Sequence, residues 1–247
     1  MSTAPRPWLF CFHHAGAGIS SFARWQGVVG DAADVVPVLL PGRGSRVREA
    51  RITDPGQLLG EIEELIGPML DRPYLLYGHS LGGLVAYTFA RTRAAAGSEP
   101  PALVAVGAVL PPHLRSPVLR SAALPDPELL ELLVAYGALP PEALDDPGLW
   151  CRRVVPALRD DLRLGQALCE AAGPGLPVPL LALSGRHDPI APTAGMAEWA
   201  GYATGGFRLR TVPGDHYFVR GGTAPRMLRE AAARLRARTL RPESSRV

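Results

Sequence analysis

Gly78-His79-Ser80-Leu81-Gly82 stands directly after the apolar run Tyr74-Leu75-Leu76-Tyr77 and directly before Gly83-Leu84-Val85-Ala86-Tyr87-Thr88-Phe89-Ala90. The order predicts a buried strand, a sharp turn and a helix, with a serine at the turn. Glycines flank the serine because side chains there would collide with the neighbouring strand or helix. A hydroxyl is a poor nucleophile unless it is exposed, aimed and deprotonated by a base. A strand-to-helix turn exposes it. The N-terminus of the following helix also points at the place where negative charge would develop.

The base and the group that orients it must come from elsewhere in the chain. Val178-Pro179-Leu180-Leu181-Ala182-Leu183 predicts a buried strand, followed by the turn-rich Ser184-Gly185-Arg186-His187-Asp188-Pro189. Phe207-Arg208-Leu209-Arg210-Thr211-Val212 predicts a final strand, followed by Pro213-Gly214-Asp215-His216-Tyr217. Asp188 and His216 would then lie just past the C-terminal ends of strands, where an open α/β sheet places its ligands. Serine, then acid, then histidine is the chain order of an α/β-hydrolase triad. His13, His14, His79, His113 and His187 are rivals for the base. None holds the position after the last strand, and the His79 side chain should point away from the serine. Asp215 adjoins His216, but neighbouring side chains on a turn diverge, so Asp188 is the better acid.

Strand and helix signals alternate around this turn. Trp8–Phe12 and Val35–Leu40 predict strands, with a short helix over Phe22–Val29 between them. Thr53-Asp54-Pro55 predicts a helix cap, with the helix continuing to Leu70. Leu103–Leu110 predicts another strand. Apolar strands without alternation, separated by helices, imply a mostly parallel sheet covered on both faces. From Pro111 to about Gly175 no strand is predicted. Helices are expected over Pro127–Tyr136 and, as one or two pieces, Trp150–Ala172. At 247 residues the chain is expected to form one domain, with residues 111–175 inserted as a helical lid. Leu129, Leu132, Leu133, Leu158 and Leu162 are candidates to line an acyl pocket beneath it. The proline-jointed stretch from Pro125 to Ala172 is expected to be mobile.

Composition removes several classes of chemistry. The chain has 26 basic residues and no lysine, which excludes Schiff-base and P-loop lysine chemistry. Cys11, Cys151 and Cys169 offer neither a disulfide framework nor zinc-ligand spacing. No metal or cofactor is expected. No run is long enough to span a membrane. Met1–Pro7 lacks the apolar stretch and cleavage site of a secretory signal, so a cytoplasmic protein is expected. Arginines gather from Arg226 to Arg246. Without an aromatic platform they predict a solvated terminal helix and tail rather than a nucleic-acid surface.

Together these pieces resemble the type II thioesterases that accompany polyketide and nonribosomal peptide synthesis. The resemblance rests on Phe12-His13-His14-Ala15-Gly16-Ala17-Gly18, Leu40-Pro41-Gly42-Arg43-Gly44-Ser45-Arg46 and Gly78-His79-Ser80-Leu81-Gly82-Gly83. Leu158-Arg159-Asp160-Asp161-Leu162-Arg163-Leu164, Ser184–Pro189 and Pro213-Gly214-Asp215-His216-Tyr217-Phe218 extend it over nearly the whole chain. His13-His14-Ala15-Gly16-Ala17 departs from the family's usual Pro-His-Ala-Gly-Gly, and Leu81 replaces a frequent methionine. Gly165-Gln166-Ala167 stands where an aromatic often follows, which bears on the shape of the acyl pocket.

The resemblance implies hydrolysis of acyl groups from the phosphopantetheine arm of an acyl or peptidyl carrier protein, by a monomer, to clear stalled or aberrant chains. Ser80 would attack, His216 would take its proton, and Asp188 would hold the imidazole. The backbone N–H of Leu81 would form half of an oxyanion hole and, by resemblance, that of Ala15 the other half. His14 and Arg43 are candidates to contact substrate or the pantetheine arm; Arg46 and Arg43 could meet a phosphate of that arm, or else stay solvated or make local ion pairs. Asp160 and Asp161 are expected to cap or salt-bridge the inserted helices. A small-molecule carboxylesterase of the same fold, or a non-catalytic carrier-binding relative, are the alternatives.

Overall fold

The computed structural model describes residues 5–114 and 116–239. Met1–Ala4 and the arginine tail expected through Arg241 and Arg246 lie outside the described residues. Among the described residues six strands form one sheet: β1 (Trp8–Phe12), β2 (Asp34–Val38), β3 (Tyr74–His79), β4 (Leu103–Gly107), β5 (Leu180–Gly185) and β6 (Phe207–Val212). Their order is β2-β1-β3-β4-β5-β6, and every pairing is parallel. The chain steps outward from β1 to β2 and then crosses back to β3. The crevice between the C-terminal ends of β1 and β3 is therefore the topological switch point of the sheet.

Both faces of the sheet are covered at its centre, which is why β1, β3, β4 and β5 are apolar without alternation, whereas the edge strand β6 alternates and exposes Arg208 and Arg210. On one face Phe10, Phe12, Leu76, Val104, Val106 and Ala182 pack in a cluster with Leu58 and Ile62 of α2 (Pro55–Ile66). The same cluster holds Leu84 and Val85 of α3 (Leu81–Ala95). On the other face Leu9, Cys11, Leu75, Tyr77 and Leu183 pack with Trp25 and Val29 of α1 (Trp25–Val29). Leu228 and Ala232 of the C-terminal helix Thr223–Thr239 complete that side. The first ten residues of α3, Leu81 to Ala90, are buried without interruption. This helix runs through the centre of the molecule and needs no polar face.

Several boundaries differ from the sequence reading. The single helix expected over Phe22–Val29 is a 3₁₀ turn (Ile19–Phe22) followed by the short helix from Trp25. The helix capped by Asp54, which accepts from the Gln57 N–H at 2.7 Å, ends at Ile66 and tightens to a 3₁₀ turn over Gly67–Met69. β2 carries Pro37, which is tolerated because β2 is an edge strand. β4 stops at Gly107 because Ala108 turns to φ 54°. Val109 and Leu110, expected to extend the strand, instead line a pocket. β5 begins at Leu180 rather than Val178, with the Pro179 carbonyl still accepting from Val104 N–H at 3.0 Å.

Between β4 and β5 the described residues form helices and no strand. They are α4 (Pro117–Arg120), which the sequence reading missed, α5 (Asp126–Ala135), α6 (Pro147–Arg153) and α7 (Val155–Ala171). The break at Val154 precedes Pro156, whose missing N–H suits the first turn of a new helix. Leu129, Leu130, Leu133, Val155, Leu158 and Leu162 form a cluster within this insertion. Leu164 and Leu168, on the same α7, belong instead to the core over the sheet.

Candidate active site

The turn at Ser80 is built by close backbone approach. A β-carbon at Gly78 would stand 1.8 Å from the Gly82 carbonyl oxygen, and one at Gly82 would stand 2.2 Å from that of Phe12. Both positions therefore require glycine. Ser80 itself adopts φ 53°, ψ −120°, and its N–H donates to the Gly107 carbonyl at 2.7 Å. This geometry lifts the hydroxyl above the C-terminal edge of the sheet.

His216 and Asp188 meet that hydroxyl from the ends of β6 and β5. The His216 Nε2 lies 3.2 Å from Ser80 Oγ. Its Nδ1 lies 3.1 and 3.0 Å from the two Asp188 oxygens. With Nδ1–H donating to the carboxylate, Nε2 is left to accept from the serine hydroxyl. Asp188 Oδ1 also accepts from the N–H groups of Ile190 at 2.8 Å and Ala191 at 3.0 Å. Burial draws the Asp188 carboxyl upward, but the His216 hydrogen bond and charge, with these two N–H groups, hold it below its ordinary value. Asp215 faces its own turn, accepting from the Tyr217 N–H at 2.8 Å. His187 is exposed, and His113 stacks on Tyr202 at 5.6 Å.

A pocket opens beside these groups. Ser80, His216, His14, Ala15 and Leu81 form one wall. Val109, Leu110, Leu119, Leu133, Leu158 and Leu162 make the rest largely apolar. Of the leucines expected there, Leu133, Leu158 and Leu162 are present. Leu129 is buried inside the insertion instead, and Leu132 is not part of the lining. The N–H groups of Ala15 and Leu81 make no hydrogen bond among the described residues. Both border the Ser80 pocket, and the Leu81 N–H stands in the first turn of α3, where helix N–H groups have no internal acceptor. Among the described residues no group of three or more His, Cys, Asp or Glu could hold a metal ion.

His14 lies in the pocket wall, its ring 5.4 Å from that of Tyr217. Burial, then the nearby His13, His216 and Arg220, push it down to about 3, so it is a neutral surface for a ligand. Arg43 does not stand free. Its guanidinium makes a two-pronged contact with Asp161 at 2.8 and 2.7 Å. Arg46 is likewise engaged by Glu49 and Glu61.

Two contributors escaped the sequence reading. His79 does point away from the serine, as expected, but it is not idle. Its Nδ1 lies 2.8 Å from the Tyr77 hydroxyl, and its Nε2–H donates to the His216 carbonyl at 2.7 Å. It thus ties the end of β3 to the histidine loop. Nothing local in sequence signals a contact across 137 positions. The N–H groups clamping Asp188 were more accessible, because Asp-Pro followed by two residues is a turn in which the carboxylate accepts from the backbone.

Comparison with known proteins shows the family. A family model described as a thioesterase domain matches residues 7–235. The chain is 32% identical over 214 residues to linear gramicidin dehydrogenase LgrE of Brevibacillus parabrevis, spanning 85% of this chain and 81% of that protein. It is 33% identical over 221 residues to AMB antimetabolite synthetase AmbE of Pseudomonas aeruginosa, spanning 88% of this chain but 10% of that one. Among solved structures, the RedJ thioesterase from the prodiginine biosynthetic pathway of Streptomyces coelicolor superimposes with a TM-score of 0.77 at 32% identity. That match covers 95% of this chain and 94% of RedJ. The chain belongs to the thioesterase family: it is a type II thioesterase of the α/β-hydrolase fold, a serine hydrolase acting on thioesters.

Proposed function

We propose that this type II thioesterase serves a polyketide or nonribosomal peptide assembly line, hydrolysing acyl groups from the phosphopantetheine arm of its carrier proteins and so clearing stalled or aberrant chains. The observation that carries the reading is His216 bridging Ser80 and Asp188 at the mouth of an apolar pocket. Relatives named for gramicidin and prodiginine biosynthesis support the pathway class. One relative's name denotes a dehydrogenase, but Gly16-Ala17-Gly18 after β1 lacks the third glycine of a dinucleotide-binding turn.

Ser80 Oγ attacks the thioester carbonyl as His216 Nε2 takes its proton. Asp188 holds the imidazole tautomer and stabilises the imidazolium. The N–H groups of Leu81 and Ala15 receive the developing oxyanion. Collapse of the tetrahedral intermediate breaks the C–S bond, and His216 returns its proton to the departing sulfur. The free thiol of the arm leaves an acyl ester on Ser80. Water, deprotonated by His216, then attacks this ester. The carboxylic acid departs and the serine hydroxyl is restored. In this reading the chain is one hydrolase domain, and residues 111–175 form its lid. No helix among the described residues is long and apolar enough to cross a membrane.

The test is turnover of one acyl group presented on a holo carrier protein, on coenzyme A and as a simple oxygen ester. The expected order of kcat/KM is carrier protein, then coenzyme A, then ester. Preference for the ester would instead make the protein a small-molecule esterase. No turnover of any of them would leave a carrier-binding role without catalysis.

A further inference from the structure

Asp161 lies one turn beyond Leu158 on α7, and both press on the loop after β1. Asp161 Oδ2 accepts from the Gly16 N–H at 2.7 Å. Leu158 packs so closely that a β-carbon on Gly16 would fall 2.4 Å from its Cδ2. Gly16 also sits at φ 71°, a conformation open to glycine. The Asp161 carboxylate is 2% exposed. Its remaining capacity is filled by Arg43, whose guanidinium also reaches the Ala17 carbonyl at 3.3 Å. One buried ion pair thus joins the loop after β2, the loop after β1 and an inserted helix. It also borders the pocket, because Asp161 contributes to its lining.

This arrangement sets both direction and charge. The Gly16 N–H shares its peptide with the Ala15 carbonyl, and the His14 carbonyl, which shares its peptide with the Ala15 N–H, accepts from the Ala17 N–H at 3.1 Å, so the peptides on both sides of Ala15 are held. A lone carboxylate beside a forming oxyanion would oppose it. The bidentate guanidinium cancels that charge while leaving the carboxylate able to grip the N–H. We propose that Asp161 and Arg43 are positioning residues for the oxyanion site: Asp161 aims the Ala15 N–H through Gly16, and Arg43 neutralises Asp161. The proposal rests on the reading of Ser80 as the nucleophile.

Oxyanion contacts act in the transition state, so loss of aim should lower kcat and leave KM nearly alone. With an acyl N-acetylcysteamine thioester, Asp161→Ala and Arg43→Met should each lower kcat by about 10- to 100-fold, with KM within about threefold. Inhibition by an n-alkylboronic acid, which forms a tetrahedral adduct on serine, should weaken in step. Asp161→Asn keeps an oxygen for the Gly16 N–H and should retain kcat within about fivefold of the parent, the cost of a neutral acceptor. Adding Asp161→Asn to Arg43→Met removes the stranded carboxylate, so the double variant should be faster than Arg43→Met alone. Circular dichroism establishes that each variant is folded. A rise in KM with kcat retained, unaltered boronic acid inhibition, or a double variant slower than Arg43→Met would each overturn the proposal. If Ser80→Ala keeps turnover, the nucleophile reading fails instead, and the two failures cannot be confused.

Discussion

Ser80 holds positive φ without being glycine, a conformation that costs on the order of 1–3 kcal/mol and persists only where the surroundings enforce it. Here the Gly107 carbonyl, Gly78 and Gly82 do so. The strain argues that Ser80→Ala leaves the turn intact and removes only the attacking oxygen. Turnover should fall by about 10⁴-fold or more with an unchanged circular dichroism spectrum. A folded alanine variant of near-normal rate would remove Ser80 from catalysis. Asp188→Asn should cost about 10⁴-fold, because the amide can hold the wrong imidazole tautomer. Asp215→Asn, which touches only the Tyr217 N–H, should leave steady-state kinetics within a few-fold. Equal losses would reassign the acid. Ser80, Asp188 and His216 were legible as candidates because each is announced by a local pattern: an apolar run, then a turn bearing the reactive group. The destinations of Arg43 and His79 were not, since their partners Asp161 and His216 lie 118 and 137 positions away. Short-range patterns carry no information about such pairs.

At the scale of the element, α7 differs from the rest of the insertion. Helical spacing made it legible as a helix, but not its division of labour. Leu158 and Leu162 face the insertion cluster, while Leu164 and Leu168 enter the core over the sheet. A β-carbon on Gly165 would lie 2.5 Å from Leu119 Cδ2, so close seating against α4 explains the glycine there. Asp161 grips Arg43 and Gly16, and Asp160 pairs with Arg51 at 2.8 Å. α5 and α6 lack such ties to the sheet and pack chiefly within the insertion. The mobility expected of the whole stretch from Pro125 to Ala172 is therefore better confined to Asp126–Arg153, with α7 as a fixed wall. Hydrogen exchange should show α7 protected at a level near Tyr74–Tyr77 and Leu103–Gly107, with Asp126–Arg153 exchanging faster. A stable acyl analogue should slow exchange in the latter segment selectively. Uniform exchange across Asp126–Ala171, insensitive to the analogue, would leave the pocket served by a fixed channel.

At the scale of the molecule, the site places three neutral imidazoles in the interior. His13 is pushed down to about 4, by burial first and then by Arg43. His14 is pushed down to about 3, by burial and then its positive neighbours. His79, fully enclosed, is lowered well below the ordinary histidine range, mainly by burial. In the unfolded chain each takes a proton near pH 6.5. Below that value the unfolded state holds more protons than the native one, so stability falls as pH falls. Each histidine contributes up to about 1.4 kcal/mol per pH unit in this window, and the three together up to about 4. Asp188 acts in the same direction only lower down. Its carboxyl is held below its ordinary value, so its contribution is complete above the usual carboxylate range and is lost as pH falls through the native value. The urea midpoint should therefore be nearly flat between pH 8 and 7 and drop steeply from about 6.5 to 5, where unfolded histidine titrates. His14→Gln should remove about one proton from that slope. A midpoint that does not move between pH 7.5 and 5 would show these imidazoles to be accessible to protons in the native state. His13 and His14 adjoin Ala15 in sequence, but only their burial in the folded chain turns them into a threshold for acid unfolding. Loss of activity in this window that follows the urea midpoint belongs to that threshold. Loss that precedes it belongs to the reacting groups.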